Sequence, residues 1–249
     1  MAIDNIQGVV DRLTEIIEEC RLKNSPLGFF AALYRKVTIR VRDGIAKNEF
    51  DNNEQMERLD VLFAKRYIDA YDLYRSGQVA TQSWMLAFKA AEKNDLLIMQ
   101  HLLLGINAHI NLDLGIAAVE TVGEQPIQNL KTDFDGINQI LASMVDDVQA
   151  KIGSLSPLFM ILDPIAGRLD EDLVKFSINI ARDGAWKFAN ELYISNQINY
   201  PKAIKDRDFR IAILAENVAS PKSTILKTVV GFIRLFETKK VSKIIDKLM

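Results

Sequence analysis

Residues 100–115, Gln-His-Leu-Leu-Leu-Gly-Ile-Asn-Ala-His-Ile-Asn-Leu-Asp-Leu-Gly, hold both histidines of the chain, with two asparagines and an aspartate set among leucines and isoleucines. On a helix, at about 100° per residue, His101, Gly105, His109 and Asp113 advance by about 40° at each step and form one slanted polar row. Asn107 and Asn111 form a second. His109 and Asp113 are four residues apart, so their side chains meet on one helix face, and two chemistries follow. Together with a carboxylate such as Asp60 or Asp69 they would hold one divalent metal ion. Without a metal, Asp113 would orient His109 as a general acid or base. His101 is turned by about 80° from His109. It joins the site only if a ligand, a water or a neighbouring side chain fills the space beside Gly105. Buried amides at Asn107 and Asn111 suit hydrogen bonds to a substrate carbonyl or to free backbone groups.

The elements must enclose this stretch. Leu102, Leu103, Leu104, Ile106, Ala108, Ile110, Leu112 and Leu114 fill the gaps between the polar rows, and a helix apolar on every side is a central, buried one. With 249 residues and 49% hydrophobic content the chain can bury a sizeable core. The reading is a single all-α domain over 1–249, a bundle of about eight or nine helices around the central one. Apolar periodicity places helices over roughly 3–22, 27–46, 53–76, 81–92, 95–122, 132–152, 170–195, 201–218 and 222–248. Ser25-Pro26 and Ser220-Pro221 read as helix starts, and Asn94 or Asp95 as the cap of the central helix. Residues 123–131 read as a mobile loop and 153–168 as a packed crossover. The last helix, apolar on one side and lysine-bearing on the other, is expected to close the bundle rather than lie on a membrane.

Other side chains stand ready as the wall of a site. Asp60, Arg66 and Asp69 lie on or near the buried side of the third helix. Arg182 and Trp186, four apart, share a helix side, and the planar fork of Arg182 suits a carboxylate, either that of Asp113 or that of an acidic substrate. Arg66, Arg182 and Trp186 therefore join Asn107 and Asn111 as candidate substrate-binding residues. The net charge of −2 leaves no general attraction for nucleic acid. A lone cysteine, Cys20, permits no intrachain disulfide. The first residues show no leader pattern, and no run approaches the roughly 18 consecutive apolar residues of a membrane span. The expectation is a soluble cytoplasmic protein, with a homo-oligomer left open. There is no Gly-x-Ser-x-Gly elbow, phosphate loop, dinucleotide fingerprint or Cys-x-x-Cys pair. Two histidines are too few for a multinuclear zinc site.

The run from Leu102 to Gly115 resembles the signature of a widespread helical domain family of unknown function. The resemblance extends to Glu57-Arg58-Leu59-Asp60-Val61-Leu62-Phe63-Ala64-Lys65-Arg66-Tyr67 and to Ala181-Arg182 with Ala185-Trp186, and so spans most of the chain. It implies that His101, Asn107, His109, Asn111 and Asp113 are the family's site, with Asp60, Arg66 and Arg182 as wall residues. Two readings follow. One is an enzyme that hydrolyses, isomerises or cyclises a small organic molecule in a pocket between helices. The other is a non-catalytic binding or scaffold protein whose polar network holds helix register.

Overall fold

The all-round apolar stretch does fold into a helix that other helices surround. The structure, a computed structural model, describes residues 3–93, 95–156, 178–195 and 199–249, and among these it is all-α, with no strand. In order come α1 (Ile6–Leu22), α2 (Gly28–Ala46), α3 (Asn53–Arg75), α4 (Gln82–Glu92) and α5 (Ile98–Ala108). A π-helical turn (His109–Asp113) joins α5 to α6 (Leu114–Val122), and a 3-10 turn (Ile127–Leu130) leads into α7 (Lys131–Leu155). Then follow α8 (Ile178–Ile194), α9 (Tyr200–Ala219), α10 (Thr224–Phe236) and α11 (Val241–Leu248). Helices α2, α4 and α9 pack around α5, while α3 and α8 pack around α6. By length and composition alone Ile98–Val122 would cross a membrane, yet 72% of its most apolar stretch is buried inside this fold.

Eleven α-helices stand among the described residues where eight or nine were expected, for two local reasons. The central helix is interrupted by the π turn, which takes one extra residue into a single turn. The last helix is broken by extended backbone at Glu237 and Lys240. The closing role belongs to α11, whose Val241, Ile244, Ile245 and Leu248 are buried, whereas α10 leaves Ile225, Phe232, Leu235 and Phe236 exposed. The cap of α10 is Ser223, not Ser220. The stretch expected to be a mobile loop buries Ile127 and Leu130 in the core. Helix α7 continues through Gly153 to Leu155, and the remainder of the expected crossover, like Asp170 as a helix start, lies outside the described residues.

The central helix starts later than its expected cap, and remote groups satisfy its first turn. Ile98 N–H donates to Glu237 Oε2 at 3.0 Å and Leu97 N–H to Gln100 Oε1 at 2.9 Å. Gln100 Nε2 in turn donates to the Val218 carbonyl at 2.7 Å, which ties α5 to the end of α9. Asp208 does the same for α4, accepting from Gln82 and Ser83 N–H.

Two glycines admit close neighbours. A Cβ on Gly105 would meet Phe30 Cγ at 2.5 Å, and one on Gly115 would meet the Ala185 carbonyl oxygen at 2.9 Å. Gly105 thus seats an aromatic ring from α2, and Gly115 brings the α8 backbone against α6. Gly105→Ala should lower unfolding stability by about 1–3 kcal/mol, because the Phe30 ring must be displaced from a packed core. Urea denaturation measures this, and an unchanged midpoint would show that the ring has room to move.

Candidate active site between α2, α3 and the π turn

The residues of the π turn define the site. Asp113, 1% exposed, receives three N–H donors. Trp84 Nε1 donates to Oδ2 at 2.8 Å, Arg66 Nε to Oδ1 at 3.1 Å, and His109 Nδ1 lies 3.3 Å from Oδ2. A carboxylate only accepts, so neutral His109 must carry its proton on Nδ1 and present Nε2 as a lone pair. That nitrogen is buried and has no hydrogen-bond partner. Aromatic rings confine the imidazole. Phe63 stacks on it at 3.5 Å between centroids, and Tyr34 meets it edge-on at 4.5 Å. Burial pushes the His109 pKa down, against the opposing pull of Asp113, which keeps the ring neutral at neutral pH.

His109 lines a cavity of about 380 Å³. Its walls come from α2, α3, α5, the π turn, α6, α7 and α8 and, among the described residues, are apolar except for Tyr34, Asp60, His109 and Arg182. The size falls in the range of small-molecule sites, about 300–1,000 Å³. Besides His109 Nε2, two more polar atoms on this wall are buried without partners, Tyr34 Oη and Asp60 Oδ2. The Thr38 hydroxyl, close to Tyr34, donates to the Tyr34 carbonyl oxygen at 3.1 Å. Burial, reinforced by Glu57, raises the Asp60 carboxyl to about 7. Burial and then the Asp60 charge push the Tyr34 phenol up. A second cavity, of about 320 Å³, has Arg66, Asp69, Trp84, Asp113 and Glu120 in its wall. The His109–Asp113 pair is therefore the partition between an inner apolar space and an outer polar one.

The sequence candidates separate into groups. His109 and Asp113 come together as expected, and Arg66, expected as a substrate-binding residue, is bonded to Asp113 instead. His101 does not join them, because the Phe30 ring occupies the space beside Gly105; it packs edge-on against Phe29 at 5.5 Å, and burial lowers its pKa to about 4. Asn107 and Asn111 bond to each other at 2.9 Å, and Asn107 Nδ2 donates to the Ile211 carbonyl at 3.1 Å, so they fasten the end of α5 and the π turn to α9. Arg207 adds a bond from Nε to the Asn111 carbonyl at 3.0 Å. Arg182 does not hold Asp113. It donates to Asn138 and to the Phe134 carbonyl, with its guanidinium 4.5 Å from the Phe134 ring centroid. Trp186 packs on the same Phe134 ring at 4.9 Å and lines neither cavity.

The expected metal site of His109, Asp113 and Asp60 does not assemble. Both Asp113 oxygens are engaged by protein donors, Asp60 lies on the inner wall and Asp69 on the outer one. Among the described residues no group of three or more His, Cys, Asp or Glu side chains is arranged to hold a metal ion. Sequence reasoning missed Trp84, Tyr34 and Phe63. A buried tryptophan needs an acceptor for its indole N–H, which was the signal available for Trp84. Tyr34 and Phe63 read only as core aromatics.

The chain belongs to a family of unknown function, DUF5995, whose model matches residues 6–221. That span carries every side chain of both cavity walls and ends before α10. No curated protein and no solved structure matches the chain.

Two measurements check the electrostatics. Trp84→Phe removes a donor to a buried carboxylate and should cost about 1.5–3 kcal/mol in chemical denaturation. A loss below about 0.5 kcal/mol would mean that Asp113 finds another donor. For Asp60 the folded pKa is raised from 3.8 to about 7, so the folded state holds its proton longer than the unfolded chain does. Its contribution to stability therefore falls as pH rises from about 4 and reaches its full cost above about 7. Asp60→Asn should be more stable than the parent at pH 8 by a few kcal/mol, since each tenfold change in proton affinity is worth about 1.4 kcal/mol. That gain should vanish near pH 3.5. Parallel pH–stability curves for the two proteins would contradict the burial of an ionisable Asp60.

Proposed function

We propose that this chain is an enzyme that moves a proton within a small, largely apolar organic molecule held in the inner cavity. The observation that carries the reading is the set of buried polar atoms without partners, His109 Nε2, Asp60 Oδ2 and Tyr34 Oη, on one otherwise apolar wall. Leaving each such group unpaired costs about 1–3 kcal/mol, a cost an occupant relieves. His109 is the base, with its lone pair toward the occupant and Asp113 holding its other nitrogen. Asp60, whose pKa is raised to about 7, is the matching acid, and the un-ionised Tyr34 hydroxyl donates to an oxygen that gains charge. Environments that bring a base and an acid to opposite protonation states at one pH are the usual mark of acid–base assignment.

In this reading His109 Nε2 takes a proton from carbon, the electron pair shifts along the substrate, and the Asp60 carboxyl delivers a proton at a second atom. The product has the atoms of the substrate. His109 then carries one proton more and Asp60 one fewer, and exchange between them resets the site. While His109 is cationic, Asp113 stabilises it. Isomerisation or cyclisation suits these walls better than hydrolysis, because an attacking water would occupy the same few polar groups that the substrate must meet in an otherwise apolar cavity. The alternative, a non-catalytic helical binding or scaffold protein, is favoured by the bonds that Trp84 and Arg66 donate to Asp113, that Asn111 donates to Asn107 and that Arg207 donates to the Asn111 carbonyl, all met inside the protein.

The test is deuterium uptake. A set of apolar ketones and unsaturated compounds is incubated with the protein in D₂O and read by mass spectrometry. The enzyme reading expects exchange into at least one compound, slowed about 100-fold or more in His109→Gln, which melts within a few degrees of the parent. No exchange from the parent protein, with a large loss of stability in the variant, would favour the scaffold.

A further inference from the structure

Arg182 is the polar group of the inner wall that proton transfer leaves unused. Its side chain is 4% exposed, and burial lowers its pKa to about 10, so it remains a cation at neutral pH. Of the five N–H donors of a guanidinium, Nε is taken by Asn138 and one Nη2 hydrogen by the Phe134 carbonyl. Both acceptors are neutral. Among the described residues no carboxylate lies within ion-pair distance of Arg182, and Nη1 makes no hydrogen bond. Asp135 and Asp183 act on it only through space. A buried cation without a counter-charge is unfavourable unless something supplies one.

The rest of the wall says what supplies it. Elsewhere the cavity is lined by Leu141, Met144, Val148 and Ile152 of α7 with Met99 and Leu103 of α5, all apolar. Arg182 is carried by α8 and bonded to α7, whereas Tyr34, Asp60 and His109 come from α2, α3 and the π turn, with Tyr34 at 4.5 Å from the His109 ring, so the cation and the acid–base groups are held by different elements of one wall. A ligand with one anionic head and an apolar body meets both conditions. A planar carboxylate matches the free edge of a single guanidinium with two parallel bonds. A phosphate dianion would keep an uncompensated charge among apolar side chains. At about 30 Å³ per non-hydrogen atom, as for water, a cavity of about 380 Å³ holds roughly a dozen such atoms.

We propose that the inner cavity binds an amphipathic monocarboxylate of medium chain length whose body carries a carbonyl or a double bond, so that an activated carbon comes within reach of His109. Its carboxylate lies on Arg182 and its apolar chain extends toward His109, Tyr34 and Asp60. This rests on the reading of that cavity as a small-molecule site, and it names the substrate class. It also places the reacting atoms at a distance from the carboxylate.

The experiment is isothermal titration of the full chain with decanoate and with decan-1-ol, equal in chain length and different in charge, below their aggregation concentrations at pH 7.5. Decanoate should bind about tenfold or more tightly than the alcohol. Arg182→Gln should remove that preference by weakening decanoate alone, and retained alcohol binding shows that the variant keeps its cavity. If the variant fails to fold, the comparison of the two ligands on the parent protein still decides. Equal affinity of the parent for acid and alcohol would overturn the carboxylate assignment and leave the cavity reading intact. So would equal weakening of both ligands in a folded Arg182→Gln. Binding of neither ligand would overturn both.

Discussion

Everything at the site depends on the hydrogen bonds that Asp113 accepts. Trp84 and Arg66 donate to it from α4 and α3, and the only role left for His109 is to donate as well. A buried carboxylate with fewer donors would be costly, so the three donors and the acceptor hold α3, α4 and the π turn in one arrangement. The same bonds decide the tautomer of His109. Its proton faces Asp113, and its lone pair is left for the cavity.

The cavity separates polarity by position. Its walls are largely leucine, isoleucine, valine, methionine and phenylalanine, yet they include a base, an acid, a phenol and an arginine. Each of these is desolvated, and each is shifted in the direction that favours its uncharged form. Arg182 keeps its full charge at neutral pH, while Asp60, with its pKa raised to about 7, is partly ionised there. A protein with only structural demands would replace such groups with apolar ones of similar volume at little cost or at a gain. An occupant that meets their hydrogen bonds gives them a reason to be there.

Packing details account for the expectations that failed. His101 and His109 look like partners on an ideal helix, but Gly105 between them is a seat for Phe30, and an aromatic ring in that seat separates them. Asn107 and Asn111 look like substrate ligands until α9 arrives with the Ile211 carbonyl and Arg207. Arg182 looks like a partner for Asp113, but the crossing of α8 and α7 directs it to Phe134 and Asn138. Caps follow the same rule. Asn52 caps α3 from the adjoining residues, as the sequence suggests, while α4 and α5 receive carboxylates from far along the chain.

Residue order alone is enough to show that the chain is helical, that the helix over about 95–122 lies at its centre and that His109 and Asp113 share one helix face. These are consequences of local spacing, since apolar period and i, i+4 separation act within a few turns of one helix. Which polar groups are spent on packing and which are left without partners is set by the assembled helices. Tyr34, Asp60, His109 and Arg182 come from four separate elements, and no local pattern records that they share a wall. Whether a buried polar atom is satisfied depends on what the neighbouring helices bring to within about 3 Å, and that is a property of how the helices cross.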